Sequence, residues 1–336
     1  MNFVKILNIK DAPIKVFGIP FFEEKKVFER IPLEIREQVK SLEFLGRRCP
    51  GARVGFKTDA AEFTVRISYK TFSVDAGMSI FAAHAANVMV GERQNSEYVE
   101  HICPPDYETK QFEKVVKKSG KMEEVTIWLP RNEELDEVEI IFPDDANIEA
   151  PTPYKYGPAL YYGSSITEGG CATGVTLGYN ALLSRWLDLD YYNFGFSGSA
   201  RGEIEIADYI NTIDFSLFVM DYDHNAWNCD ELKRTHEPFF KRIREKHPDL
   251  PVLFLTRPNF YEVDDSAGRR DIVRETYENA IKNGDKNVYF IDGETFFGQK
   301  DRTLCTVDLT HPNDIGFYRM AETIYPVMKQ ILEKGE

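Results

Sequence analysis

Ser165, Asp308 and His311 are residue types that together can cleave an ester. A serine hydroxyl is a poor nucleophile until an imidazole takes its proton, and a carboxylate beside that imidazole fixes its tautomer. Ser165 stands in Tyr161-Tyr162-Gly163-Ser164-Ser165-Ile166-Thr167-Glu168-Gly169, where an apolar run meets a small Gly-Ser-Ser turn. Asp308 and His311 stand three residues apart in Asp308-Leu309-Thr310-His311-Pro312. The chain order Ser, Asp, His is that of α/β hydrolases. Two further stretches offer donors for a developing negative charge. Asn193-Phe194-Gly195-Phe196-Ser197-Gly198 presents bare N–H groups, and Asp223-His224-Asn225-Ala226 presents the Asn225 amide. Each stretch alone has a plainer reading. Glycine-rich segments make ordinary turns, and Asp-x-x-His-Pro can cap a helix. His224 lacks a His or Cys partner at ligand spacing and reads as structural, so no metal is assigned. No organic cofactor is implied either.

These residues need a scaffold that brings them to one edge. Apolar runs recur at 159–162, 190–194, 215–220, 251–255 and 287–291. Segments of helical length separate them, at 176–188, 203–211, 230–246 and 266–283, and a last helix is expected from about 313 to 333. Strands alternating with helices predict a parallel sheet, here five strands with helices on both sides. In such sheets ligands bind beyond the carboxyl ends of the strands, which is where the four stretches fall. Pro312 suits the first turn of the final helix, with His311 on the loop before it.

The front of the chain has a different rhythm. Phe63, Val65, Ile67 and Tyr69 alternate with polar residues, and short apolar runs follow at 86–90, 123–129 and 137–142. Period two with turn residues between runs predicts an all-β sandwich. Glu34 to Leu45 reads as a short helical turn or two. Ala150-Pro151-Thr152-Pro153 resists helix and central strand alike and is taken as a linker, giving domains at 1–150 and 151–336.

The 336 residues carry a formal charge of −14, which disfavours nucleic acid and anionic membrane surfaces as partners. Five scattered cysteines without a CxxC pair read as reduced thiols. No run of about 18 apolar residues is present to span a membrane. Met1 to Ile6 lacks a basic region before an apolar core, so a cytoplasmic protein without a signal peptide is expected. Homo-oligomerisation is left open.

The four stretches together resemble the SGNH or GDSL hydrolases over roughly residues 155–336. Gly163-Ser164-Ser165-Ile166 is similar to the family's Gly-Asp-Ser-Leu block. Gly198 matches its oxyanion-hole glycine, Asn225 the asparagine of its Gly-x-Asn-Asp block, and Asp308, His311 and Pro312 its Asp-x-x-His-Pro block. Ser164, Asp223 and Ala226 depart from that pattern without removing a reacting group. The resemblance implies a flavodoxin-like three-layer α/β/α domain. It also implies a triad of Ser165, His311 and Asp308, and an oxyanion hole of Ser165, Gly198 and Asn225. The front half resembles the jelly-roll-like sandwich that precedes this domain in some carbohydrate acetylesterases. There Gly77-Met78-Ser79-Ile80-Phe81 is similar to a Gly-x-Asp-Leu-Tyr signature, with Ser79 and Phe81 departing.

The expected activity is hydrolysis of a small acyl ester, acetyl being favoured, on a sugar or another polar alcohol. Tyr222 and Trp227 flank Asn225 and are candidates to stack on a sugar ring, unless they are core aromatics. The alternatives are a short-chain lysophospholipase or thioesterase, and a silent scaffold that binds carbohydrate.

Overall fold

The computed structural model describes residues 4–75, 77–258 and 265–335. The front half forms two antiparallel sheets from β1 (Val4–Asn8), β2 (Lys15–Phe17), β3 (Arg53–Thr58), β4 (Glu62–Tyr69), β5 (Ala86–Val90), β6 (Glu97–Ile102), β7 (Gln111–Lys117), β8 (Glu123–Trp128), β9 (Leu135–Pro143) and β10 (Ile148–Glu149). One sheet runs β1-β9-β4-β7 and the other β10-β3-β8-β5-β6, with β2 beside β3. The alternation in β4 does what period two requires. Phe63, Val65, Ile67 and Tyr69 are buried, and they share one core with Val54, Phe56, Val88, Val125 and Ile127 of the other sheet. Short helices α1 (Phe22–Lys25), α2 (Leu33–Gln38) and α3 (Ile80–His84) decorate this half. Ser79 caps α3 by accepting from the Ala82 N–H at 3.2 Å, a role aspartate fills equally well.

The back half is one parallel sheet ordered β12-β11-β13-β14-β15. Its strands are β11 (Tyr156–Gly163), β12 (Leu189–Gly195), β13 (Leu217–Asp221), β14 (Val252–Leu255) and β15 (Val288–Ile291). Its helices are α4 (Ser165–Glu168), α5 (Tyr179–Leu187), α6 (Ile204–Ile210), α7 (Cys229–Lys246), α8 (Ser266–Lys282) and α9 (Asp314–Lys334). The strands are apolar on both faces because both faces are covered. Tyr161, Val219 and Leu253 pack with Leu183, Met320 and Ile324 of α5 and α9. Leu160, Phe218 and Phe254 pack with Ile206, Phe239 and Val273 of α6, α7 and α8. None of the described helices is long and apolar enough to cross a membrane.

The order places β11 between β12 and β13, at the point where the winding direction reverses. The register sets Gly163 opposite Gly195 on one side and Asp221 on the other, so three loops leave the sheet at one level.

The final helix departs from expectation. It starts at Asp314, and Asn313 caps it by accepting from the Gly316 N–H at 3.1 Å. Pro312 instead lies outside the helix, in an isolated bridge with Thr306. The amide oxygen of Asn313 answers a first-turn N–H, which a proline ring cannot do.

Arginines from the front half cross into the back half. Arg30 Nη1 donates to the carbonyls of Asn193 and Gly195 at 2.6 and 2.8 Å. Arg131 donates to the Gly169 carbonyl and, at 2.6 Å, to that of Ala172. Arg93 pairs with Asp188 at 3.1 Å. All three side chains are buried. The carbonyls that Arg30 and Arg131 hold belong to the end of β12 and to the turn after α4, the helix that begins at Ser165.

Candidate active site

The turn after β11 exposes Ser165. Ser164 is buried and caps α4, its hydroxyl accepting from the Ile166 N–H at 3.1 Å. The serine in place of aspartate therefore keeps the capping bond that aims its neighbour. The four-residue α4 lies directly on the end of β12. A side chain at Gly195 would place its Cβ 2.2 Å from the Glu168 nitrogen, so only glycine fits. Glu168 in turn accepts from the Ser197 N–H at 3.2 Å and from the Ser197 hydroxyl.

Ser165 Oγ lies 2.8 Å from His311 Nε2, and His311 Nδ1 lies 2.7 Å from Asp308 Oδ2. With Nδ1–H donating to the carboxylate, Nε2 is left as acceptor for the serine proton. Asp308 Oδ1 also accepts the backbone N–H groups of Thr310 and His311 at 3.0 and 2.7 Å. Burial pushes this carboxyl up, but the bonds from the His311 backbone and ring and from Thr310 outweigh it and hold it below the usual range. A separation of only three residues works because Leu309 takes φ of +66°, in the left-handed region. That conformation is unfavourable for a branched residue and folds the turn back on itself. Nothing in the sequence signals it.

The predicted donors gather at the same edge. The Phe196 N–H donates to the Gly163 carbonyl at 2.8 Å, and Asn225 Nδ2 donates to the Phe196 carbonyl at 2.9 Å, which ties the ends of β11, β12 and β13 together. Gly198 has φ of +66°, a conformation glycine takes without strain. Among the described residues, the backbone N–H groups of Ser165 and Gly198 have no hydrogen-bond acceptor, and Asn225 retains a second amide hydrogen.

Asp223 departs from the glycine of the family block because it has a structural task. It is buried, accepts from the Arg257 N–H at 3.1 Å and lies 2.9 Å from His224 Nδ1. Arg269 donates to the carbonyls of Asp223 and Ala226 at 2.5 and 2.8 Å, which clamps the Asn225 loop from below. Asp221, Asp223 and His224 bring ligand atoms within 4.8 Å of one another. Asp221 and Asp223 already have partners, and Arg257 and Arg269 sit beside them, an environment that opposes a cation.

Tyr222 and Trp227 part company. Tyr222 is buried, packs among Tyr162, Phe239 and His236, and donates to Thr235 Oγ1 at 3.0 Å. It is a core residue, which corrects the expectation of a sugar contact. It directly follows the buried end of β13, and its ring continues into the same apolar layer. Trp227 is 72% exposed, with the Arg201 guanidinium 4.6 Å above its ring, and Arg201 also donates to the Gly198 carbonyl at 3.0 Å. It stays a candidate at the rim. Residues 259–264, after β14, lie outside the described residues, as do Met1 to Phe3 of the N-terminal reading.

Sequence reasoning missed Asp221. It is enclosed at the end of β13 and accepts at Oδ2 from Thr167 Oγ1 and the Tyr179 hydroxyl, both at 2.8 Å. Burial, and then the neighbouring Asp223, push it up to about 7. The unfolded carboxyl loses its proton near about 3.9. Between these values the folded state binds the extra proton, so stability falls as pH rises through that window. Asp221→Asn removes the ionisation and keeps an oxygen for Thr167 and Tyr179. Its melting temperature is expected to fall less than that of wild type between about pH 4 and pH 7. Thermal unfolding with equal pH slopes in the two proteins would exclude Asp221 as the source.

Comparison with known proteins bears on the family and fold of the chain. Residues 4–148 match the family model for the GxDLY-type N-terminus of SGNH-hydrolase-type esterases. No curated protein sequence matches the chain. Among solved structures, one from Bacteroides ovatus described as a GDSL-like lipase is 25% identical, with a TM-score of 0.87 and 98% of each chain covered. A salicylyl-acyltransferase from a tetracycline biosynthetic pathway is 20% identical, covers 98% of this chain and 97% of its own, and has a TM-score of 0.82. A family two carbohydrate esterase from Clostridium thermocellum, solved with cellohexaose, is 15% identical, covers 98% and 99%, and has a TM-score of 0.66. Residues 157–329, more than half of the chain, match the GDSL-like lipase/acylhydrolase family, and the protein belongs to that family of SGNH-type ester hydrolases.

Proposed function

We propose that the protein hydrolyses small acyl esters, acetyl above all, of a carbohydrate through an acyl-enzyme on Ser165. The observation that carries the reading is the continuous Ser165–His311–Asp308 relay, at 2.8 and 2.7 Å. His311 takes the Ser165 proton as Oγ attacks the carbonyl. The oxyanion is held by the Ser165 and Gly198 N–H groups and the Asn225 amide. His311 then protonates the leaving alcohol, and after that activates water for deacylation. No step needs a metal or an organic cofactor.

The acetyl and sugar assignments draw on the surroundings of the serine. Leu309, next to Asp308 in the chain, and Trp227, two residues after Asn225, are 56% and 72% exposed, so both side chains are available to a bulky polar alcohol. An open site of this kind accepts a small acyl group on a large partner, as a carbohydrate esterase must. The test is acetate release from a panel of acetylated sugars, run beside long-chain esters. Release of acetate in preference to long acyl chains is expected, and the reverse preference would overturn the acetyl assignment. Acyl transfer to an added alcohol with no free acetate would favour the chemistry of the salicylyl-acyltransferase neighbour.

Asn225→Ala is expected to lower kcat by about 10²- to 10³-fold with little change in KM, the usual loss on removing one oxyanion donor. A wild-type kcat would remove Asn225 from the mechanism.

A further inference from the structure

A pocket of about 450 Å³ lies in the seam between the two halves, with no triad residue in its lining and within the size range of small-ligand sites. The front half lines it with Phe81, Tyr98 and Asn87, and the back half with Thr176, Leu177 and Arg185. Phe81 and Tyr98 are more than half exposed, an unusual position for two aromatic rings facing a cavity. The Thr176 hydroxyl donates to Asn87 Oδ1 at 3.3 Å across the seam, so a hydroxyl and an amide lie together in the lining.

Arg185 is the feature that asks for a ligand. Among the described residues no carboxylate pairs with its guanidinium, and its buried Nε has no partner, as is also true of the Nε of Arg93 and Arg131. Burial alone lowers its pKa, with no acidic neighbour to offset it. Asp188, one turn along α5, is taken by Arg93 at 3.1 Å. A half-buried cation without a counter-charge is unfavourable. It stands out in a chain whose net charge is −14 and whose Arg30, Arg93 and Arg131 all have partners across the seam. A guanidinium receives a carboxylate through two parallel bonds.

We propose that the seam pocket binds a carboxylated sugar unit, a uronate, with its carboxylate on Arg185 and its ring against Phe81 and Tyr98. The proposal rests on the carbohydrate reading of the protein and not on hydrolysis. Thr173, in the loop that lines the pocket, donates to Asp314 at the start of α9 through its hydroxyl and its N–H, at 2.6 and 2.8 Å. That helix begins three residues after His311, so pocket and triad share one loop and one helix end.

The test is calorimetric binding to the Ser165→Ala protein, with a glucuronosyl disaccharide, cellobiose and benzoate as probes. The glucuronosyl disaccharide is expected to bind at least tenfold more tightly than cellobiose. Arg185→Gln should abolish that difference, and Arg185→Lys should fall between. Equal binding of the two sugars, no binding of the uronate, tighter binding of benzoate, or an Arg185→Gln protein that binds like wild type would each overturn the proposal. Among the described residues the Arg185 side chain makes no ion pair, so the Arg185→Gln protein is expected to fold. Its acetate release from neutral acetylated sugars should match wild type, so failure of uronate binding and failure of hydrolysis are read separately.

Discussion

Ser165→Ala is expected to lower kcat for ester hydrolysis by about 10⁴- to 10⁶-fold and to abolish covalent labelling by a fluorophosphonate. The size follows from the arrangement at the end of β11. Among the described residues, Ser165 Oγ is the hydroxyl that His311 Nε2 meets at hydrogen-bond distance, and the uncommitted donors surround the same turn. Without the nucleophile, the remaining donors still bind an ester but can only assist direct attack by water. The substitution is small and Ser164, not Ser165, supplies the cap of α4, so the turn should persist. Hydrolysis within tenfold of wild type would assign the chemistry to another group.

Asp308→Asn is expected to cost about 10⁴-fold in kcat, as loss of the orienting carboxylate does in triads of this kind. The amide oxygen of the substituted side chain would still accept the backbone N–H groups of Thr310 and His311, so the loop should hold its shape. The amide nitrogen, however, would donate toward His311 Nδ1. The imidazole would then carry its proton on Nε2 and point it at Ser165, the wrong tautomer for a base. Substrate affinity should change little, because Asp308 acts through the imidazole. The check is kcat and KM with an acetyl ester together with a thermal melt. A loss below tenfold, with the melt unchanged, would show that Asp308 does not set the tautomer.

Three departures from the family pattern have a physical account in the structure. Ser164 and Ser79 each stand where aspartate is usual, and each makes the short N-cap bond that aspartate would make. Such caps depend on one side-chain oxygen two or three residues from its N–H, so they are legible from local sequence. Asp223 was not legible in this way. Its partners, Arg257 and Arg269, lie 34 and 46 residues downstream.

The periodicities of the chain determined most of the architecture. Period two in β4 and apolar runs alternating with helical segments after residue 156 state which faces must be buried, and burial of those faces decides the layers. The order of four short stretches likewise pointed to Ser165, Gly198, Asn225, Asp308 and His311. What the tertiary structure alone decided are matters of long-range contact. Tyr222 and Trp227 lie five residues apart and are both aromatic, yet one is enclosed by α7 and the other stands in solvent under Arg201. Leu309 adopts a left-handed turn that its residue type disfavours, held where Asp308 meets two N–H groups and an imidazole. Arg30 and Arg131 find carbonyls more than 35 residues away, while among the described residues no carboxylate pairs with the Arg185 guanidinium. A guanidinium looks the same in sequence whether it is paired or free. Only the folding of distant segments around it determines which.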